Sequence, residues 1–202
     1  MELTQDQRRV KDFLDAHPHL SRGVGNEDEM CTIAAVSMAL TGIVSDDPHP
    51  CVSPVIRGWV MTIQDAMGGA IRDSDEWRES IPLIAGSAAS EEIEQSRVDR
   101  IMAWMWDALG DEAVLAAVFE DARPAWDRML VERTADAARA AADAVYAAAD
   151  AARAAANAVA YAGTYAAVDA AYAVRAGAVA ARADYWFRRD PAGLLAELVA
   201  LR

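Results

Sequence analysis

Residues 53–69 read SPVIRGWVMTIQDAMGG, and each part of that run is written for a helix. Ser53 is an N-cap residue whose hydroxyl can accept from an unpaired backbone N–H. Pro54 suits the first helical position, where no N–H is needed. Val55, Trp59, Ile63 and Met67 recur every fourth residue, a spacing that places side chains on one helix face. Gly68-Gly69 follow as a stop.

The same punctuation extends in both directions. Thr4 and Gln7 have capping-box spacing and open a helix that stops before Pro18. Asn26 and Glu29 stand in the same relation, which predicts a helix through Cys31, Ile33, Val36 and Leu40 that ends at Gly42. Asp46-Asp47-Pro48-His49-Pro50 is loop chemistry. Asp73 to Ser80 reads as a short acidic turn of helix, and Ser80-Ile81-Pro82 begins another short piece. Ser90-Glu91-Glu92 starts a longer helix with Val98, Ile101, Met102, Met105 and Leu109 on one face, closed by Gly110. Asp111 to Arg123 forms a further helix stopped by Pro124. No alternating β-branched run with hairpin turns occurs. The expected fold is all-α.

From Ala135 to Ala183, 28 of 49 residues are alanine, the best intrinsic helix former. Asp136, Arg139, Asp143, Tyr146, Asp150, Arg153 and Asn157 alternate at spacings of three and four, which puts them on one stripe. Thr164, Tyr165, Tyr172, Arg175 and Arg182 keep that phase past Gly163. This favours one long helix of about 75 Å, with a kink allowed at Gly163; a hairpin at Gly163-Thr164 is the alternative. Pro191 separates Trp186-Phe187 from a last short helix, Leu194 to Leu201. A bare alanine face contributes little burial, at about 0.8 kcal/mol per CH₂. Such a helix must fold back or be covered by another chain, so self-association through the alanine helices is one reading.

The composition changes near Glu132–Ala135, and the expected division is an acidic helical domain over 1–134 and an alanine-rich region over 135–202. The formal net charge is −13. The first region holds 25 acids and 12 bases, and the second holds 7 of each. Such an excess disfavours nucleic acid and anionic membrane surfaces, which require clustered Lys and Arg. It suits a protein partner with a basic surface. Two cysteines make no disulfide framework and fit a reduced compartment. Met1 to Asp6 carry no basic segment ahead of an apolar run, so no signal peptide is expected. The alanine tract is too often interrupted by charge to span a membrane. A cytoplasmic protein is the expectation.

Reactive constellations are sparse. Cys31 lies near a helix start, where thiols become reactive, but Glu27-Asp28-Glu29 would oppose ionisation, and the usual reading of such a cysteine is a buried thiol. His17, His19, His49 and Cys51 are zinc-type ligands at spacings that match no known finger pattern. Acidic clusters at Glu27–Glu29, Asp46-Asp47, Asp73–Glu79 and Glu91–Glu94 could do acid–base work, yet no Glu-x-x-His pair supports a carboxylate-bridged metal centre. No phosphate loop or Gly-x-Ser-x-Gly elbow is present. Trp104, Trp106, Met102 and Met105 read as core, with an exposed remainder such as Trp106 as a candidate partner hot spot.

The stretches VIRGWVMTIQDAM, IRDSDEWRESIPLIAGS and IMAWMWDAL resemble a group of uncharacterised proteins encoded in phage and bacterial genomes. The alanine-rich tail is similar to immunity proteins of the Imm-5-like kind. The resemblance implies a bacterial or phage setting and a conflict-related binding role, and brings no catalytic residues. Taken together, the expectation is a non-enzymatic inhibitor, immunity or counter-defence protein that blocks a basic surface. Its candidate contacts are Glu27, Asp28, Glu29, Asp46, Asp47, Asp73, Asp75, Glu76 and Glu79, with no catalytic or metal-binding residue and no cofactor. The alternatives are a structural homo-oligomer and a Cys- or metal-dependent enzyme.

Overall fold

The computed structural model describes residues 2–110, 112–134, 136–145, 147–148 and 189–201. They are mostly helical, and among them no strand forms; only isolated bridges link Met30 to Leu20 and to Gly25. The chain is all-α to that extent. Residues 136–145 are helical. The long or hairpin helix expected over the remainder of the alanine tract lies outside the described residues. No described helix is long and apolar enough to cross a membrane.

The chain divides into two compact units. One comprises the residues through Met102 together with the C-terminal segment, and the other begins at Ala103. The compositional boundary near Glu132–Ala135 is therefore not where the units part. The C-terminal helix, expected to go with the alanine-rich region, is instead part of the first unit, because its leucines bury against helices of that unit.

In the first unit, α1 spans Gln5–Ala16, with both bonds of the Thr4–Gln7 capping box made. α2 spans Thr32–Thr41. Its start departs from expectation. Asn26 does not open a helix; its Oδ1 accepts from the N–H groups of Asp28 and Glu29 at 2.9 and 3.1 Å, a local turn that competes with helix. The N-cap is Cys31, whose Sγ accepts from Ala34 N–H at 3.3 Å. α2 ends as read, at Gly42 with φ +76°.

α3 spans Pro54–Ala66, capped by Ser53 Oγ, which accepts from Ile56 N–H at 3.0 Å. Gly68-Gly69 close α3 but also begin a single turn, α4, Gly69–Arg72. α5 spans Asp75–Ser80 and runs into a 3₁₀ turn, Ile81–Ile84. α6 spans Glu91–Leu109. The C-terminal helix, Pro191–Ala200, packs on α5 and the 3₁₀ turn. Val10, Leu14, Ile56, Val60, Trp77, Ile81, Ile84, Leu195 and Leu198 are all buried in this unit.

In the second unit, α7 spans Glu112–Ala117 and α8 spans Arg123–Glu132. Pro124 does not stop a helix; it occupies the first turn of α8, where its missing N–H costs nothing. Trp106, Met129, Ala137 and Ala141 form the buried cluster, with Leu109, Trp126 and Leu130 packed against it. Trp106 is thus core and not an exposed hot spot. The exposed large apolar side chain of α6 is Met102.

Candidate acidic binding surface

Four of the twelve basic residues in the first 134 positions turn their guanidinium groups inward, onto backbone carbonyls. Arg57 donates from Nε to the Asp46 carbonyl at 2.7 Å. Arg72 donates to the carbonyls of Met67, Gln64 and Leu20 at 2.6, 3.3 and 3.3 Å. Arg78 reaches the carbonyls of Pro18 and His17 at 3.0 and 3.1 Å, and that of Leu14 as well. Arg97 donates to the carbonyls of Ser87 and Leu198 at 2.7 and 2.9 Å. These carbonyls lie mostly at helix ends, where a helix leaves acceptors unpaired and where positive charge is favoured. Burial, helped by the nearby Arg22 charge, pulls the Arg72 pKa below its ordinary value.

The consequence is a surface more acidic than the composition alone implies. Glu27, Asp28, Glu29, Asp47, Asp75, Glu76 and Glu79 are exposed, whereas Asp46 and Asp73 are half-buried. Among the described residues no ion pair reaches Glu27, Asp28 or Glu29. Those three side chains stand on the loop that connects α1 to α2. Arg72 and Arg78 fasten this loop from α4 and α5, and Asp65 of α3 accepts from Gly23 N–H at 3.1 Å.

Asp73 has a different role. Its Oδ1 accepts from Leu20 N–H at 2.9 Å and its Oδ2 lies 3.1 Å from His19 Nδ1, so it ties the loop to the start of α5. Asp47 is turned to its own loop, where Ser45 Oγ donates to it at 2.8 Å. No hydrogen bond or ion pair among the described residues joins the three acidic segments, so they do not form one constellation.

A grouping that sequence spacing did not suggest appears between α1 and α5. Asp15, Asp75 and Glu79 line a cleft of about 270 Å³ with Lys11 and Arg78. Lys11 Nζ donates to Asp15 at 2.8 Å. That bond, then the charges of Asp15, Asp12 and Glu79, hold the ammonium pKa above its ordinary value. Asp12, Asp15, Asp75 and Glu79 thus surround the one lysine of the chain. The available signal was the i,i+3 spacing of Asp12 and Asp15, but nothing local places them beside residues sixty positions away. Glu76 faces a separate small cleft with Ser74, Trp77 and Pro191.

The thiol and histidine candidates separate. Cys31 is buried, and burial pushes its pKa up, against the backbone N–H bonds that pull it down. His17 stacks on Phe13 at 4.0 Å and bonds the Phe13 carbonyl through Nδ1. His19 belongs to Asp73. His49 Nδ1 accepts from Cys51 N–H at 3.2 Å. Among the described residues no three His, Cys, Asp or Glu side chains converge in a geometry that could hold a metal ion.

Compared with known protein families, curated proteins and solved structures, the chain matches none.

Proposed function

We propose that this chain is a non-enzymatic protein that binds the basic surface of a protein partner and blocks it, as an inhibitor, immunity or counter-defence protein would. The observation that carries the reading is the inward turn of Arg57, Arg72, Arg78 and Arg97. Those four cations are taken up by backbone carbonyls, while Glu27, Asp28, Glu29, Asp75, Glu76 and Glu79 stay at the surface. The net charge of −13 is therefore concentrated outward. Potentials of this kind steer oppositely charged partners and weaken with salt.

The test is capture of bacterial proteins on the immobilised chain at low salt, repeated with a variant carrying Glu27→Arg, Glu29→Arg, Asp75→Arg and Glu79→Arg. The reading expects one basic protein retained by the parent, released as salt rises, and not retained by the variant. Retention that ignores both salt and charge reversal would contradict it.

A further inference from the structure

The cleft between α1 and α5 has an apolar floor as well as a charged rim. Leu14 and Pro82 are buried and Leu3 is half-buried in a cavity of about 270 Å³. Of the charged side chains that line it, Lys11, Asp15 and Arg78 are already engaged. Lys11 Nζ donates to both oxygens of Asp15, at 2.8 and 3.1 Å. Arg78 spends its guanidinium on the carbonyls of Leu14, His17 and Pro18. Asp75 and Glu79 remain. Both are exposed, and among the described residues neither carboxylate makes an ion pair or a hydrogen bond.

Asp75 and Glu79 lie four residues apart on α5 and so share one helix face. Two unpaired carboxylates at the rim of an apolar floor complement a side chain that carries a cation on a hydrocarbon stem. Arginine fits this better than lysine. Its planar fork donates to two carboxylates at once, and a guanidinium is less strongly hydrated than an ammonium, so it leaves water at lower cost. The negative potential reaches across the cleft, because Glu79 contributes to holding the Lys11 ammonium pKa above its ordinary value, after the larger effect of Asp15.

We propose that this cleft receives an arginine side chain of the partner, with its stem on Leu3, Leu14 and Pro82 and its guanidinium between Asp75 and Glu79. The proposal rests on the reading of this chain as a binder of a basic protein surface, and it names the residue recognised and the place. Glu27, Asp28 and Glu29, on their exposed loop, supply the longer-range attraction that steers the partner, whereas the cleft holds one side chain of it.

Titration of the full chain with N-acetyl-arginine methylamide, followed by amide NMR shifts at constant ionic strength, tests this. The expected result is saturable shifts in residues 11–15 and 75–79. Two further probes separate the parts: the citrulline analogue keeps the shape without the charge, and guanidinium chloride keeps the charge without the stem. Both are expected to bind more weakly. Asp75→Asn with Glu79→Gln should weaken the arginine probe by about fivefold or more, at about two- to fivefold for each exposed carboxylate. Glu27→Gln with Glu29→Gln removes the same charge and should leave it unchanged. Shifts at 27–29 as large as those in the cleft, no saturation, or equal weakening by the two double variants overturns the cleft. Retention of a basic protein at low salt without cleft shifts overturns the cleft alone. Cleft binding of the probe with no protein retained overturns the blocking reading instead.

Discussion

Ser53 Oγ donates to Glu94 Oε2 at 2.5 Å while accepting from the N–H of Ile56 at 3.0 Å. One hydroxyl therefore caps α3 and anchors the carboxylate that pairs with Arg97. Ser53 is fully buried, so the two roles cannot be taken over by water. Ser53→Ala is expected to lose about 2–4 kcal/mol in urea unfolding, more than a cap alone, because it also strips a partner from a half-buried charge.

Asp73 and Asp75 are neighbours in an acidic run but differ in consequence. Asp73→Ala removes the acceptor of Leu20 N–H and is expected to cost about 1–2 kcal/mol. Asp75→Ala and Glu79→Ala, both exposed, should stay within about 0.5 kcal/mol. Thermal unfolding of the single variants separates them. A structural loss equal at Asp75 and Asp73 would contradict the assignment of Asp73 to the loop.

Gly25 and Gly42 share a left-handed backbone, with φ +75° and +76°. A Cβ on Gly42 meets nothing within 4 Å, so Gly42→Ala carries only the backbone strain, about 1 kcal/mol. A Cβ on Gly25 would stand 2.0 Å from the Glu29 carbonyl oxygen and 2.8 Å from Met30 Cα. Gly25→Ala must therefore displace the loop, and its unfolding midpoint should fall well below that of Gly42→Ala.

Burial raises the Cys31 thiol pKa. The folded chain then holds that proton more tightly than the unfolded chain does. The contribution is complete below the ordinary thiol range of about 8.5 and is lost as pH rises through the higher folded value. Stability should fall on the alkaline side, and Cys31→Ser, which keeps an N-cap oxygen, should flatten that fall. In a thiol-labelling time course Cys51, which is less buried, should react before Cys31.

The helical class was legible because it is encoded locally. The Thr4–Gln7 box, Ser53-Pro54 and Gly42 each act within four residues, and each appears as read. The same signals misled where a local alternative competes. Asn26 offers its side chain to nearby N–H groups whether or not a helix follows, and here it closes a turn. Pro124 is as good a helix beginning as an ending, and only the packing of α8 selects between them. On α6 the apolar spacing put Met102 in the core, yet Met102 is exposed while Arg97, like Trp106, is buried.

What the sequence determined alone is therefore the all-helical character, most helix ends, and an acidic excess, since these depend on residue type and short spacing. Tertiary structure decided which charges face outward. Whether Arg97 is a surface cation or the cap of a helix a hundred positions away depends on where Leu198 and Leu201 come to rest. A guanidinium is taken into the interior only where several carbonyls converge to replace its water, and that convergence exists only in the folded chain.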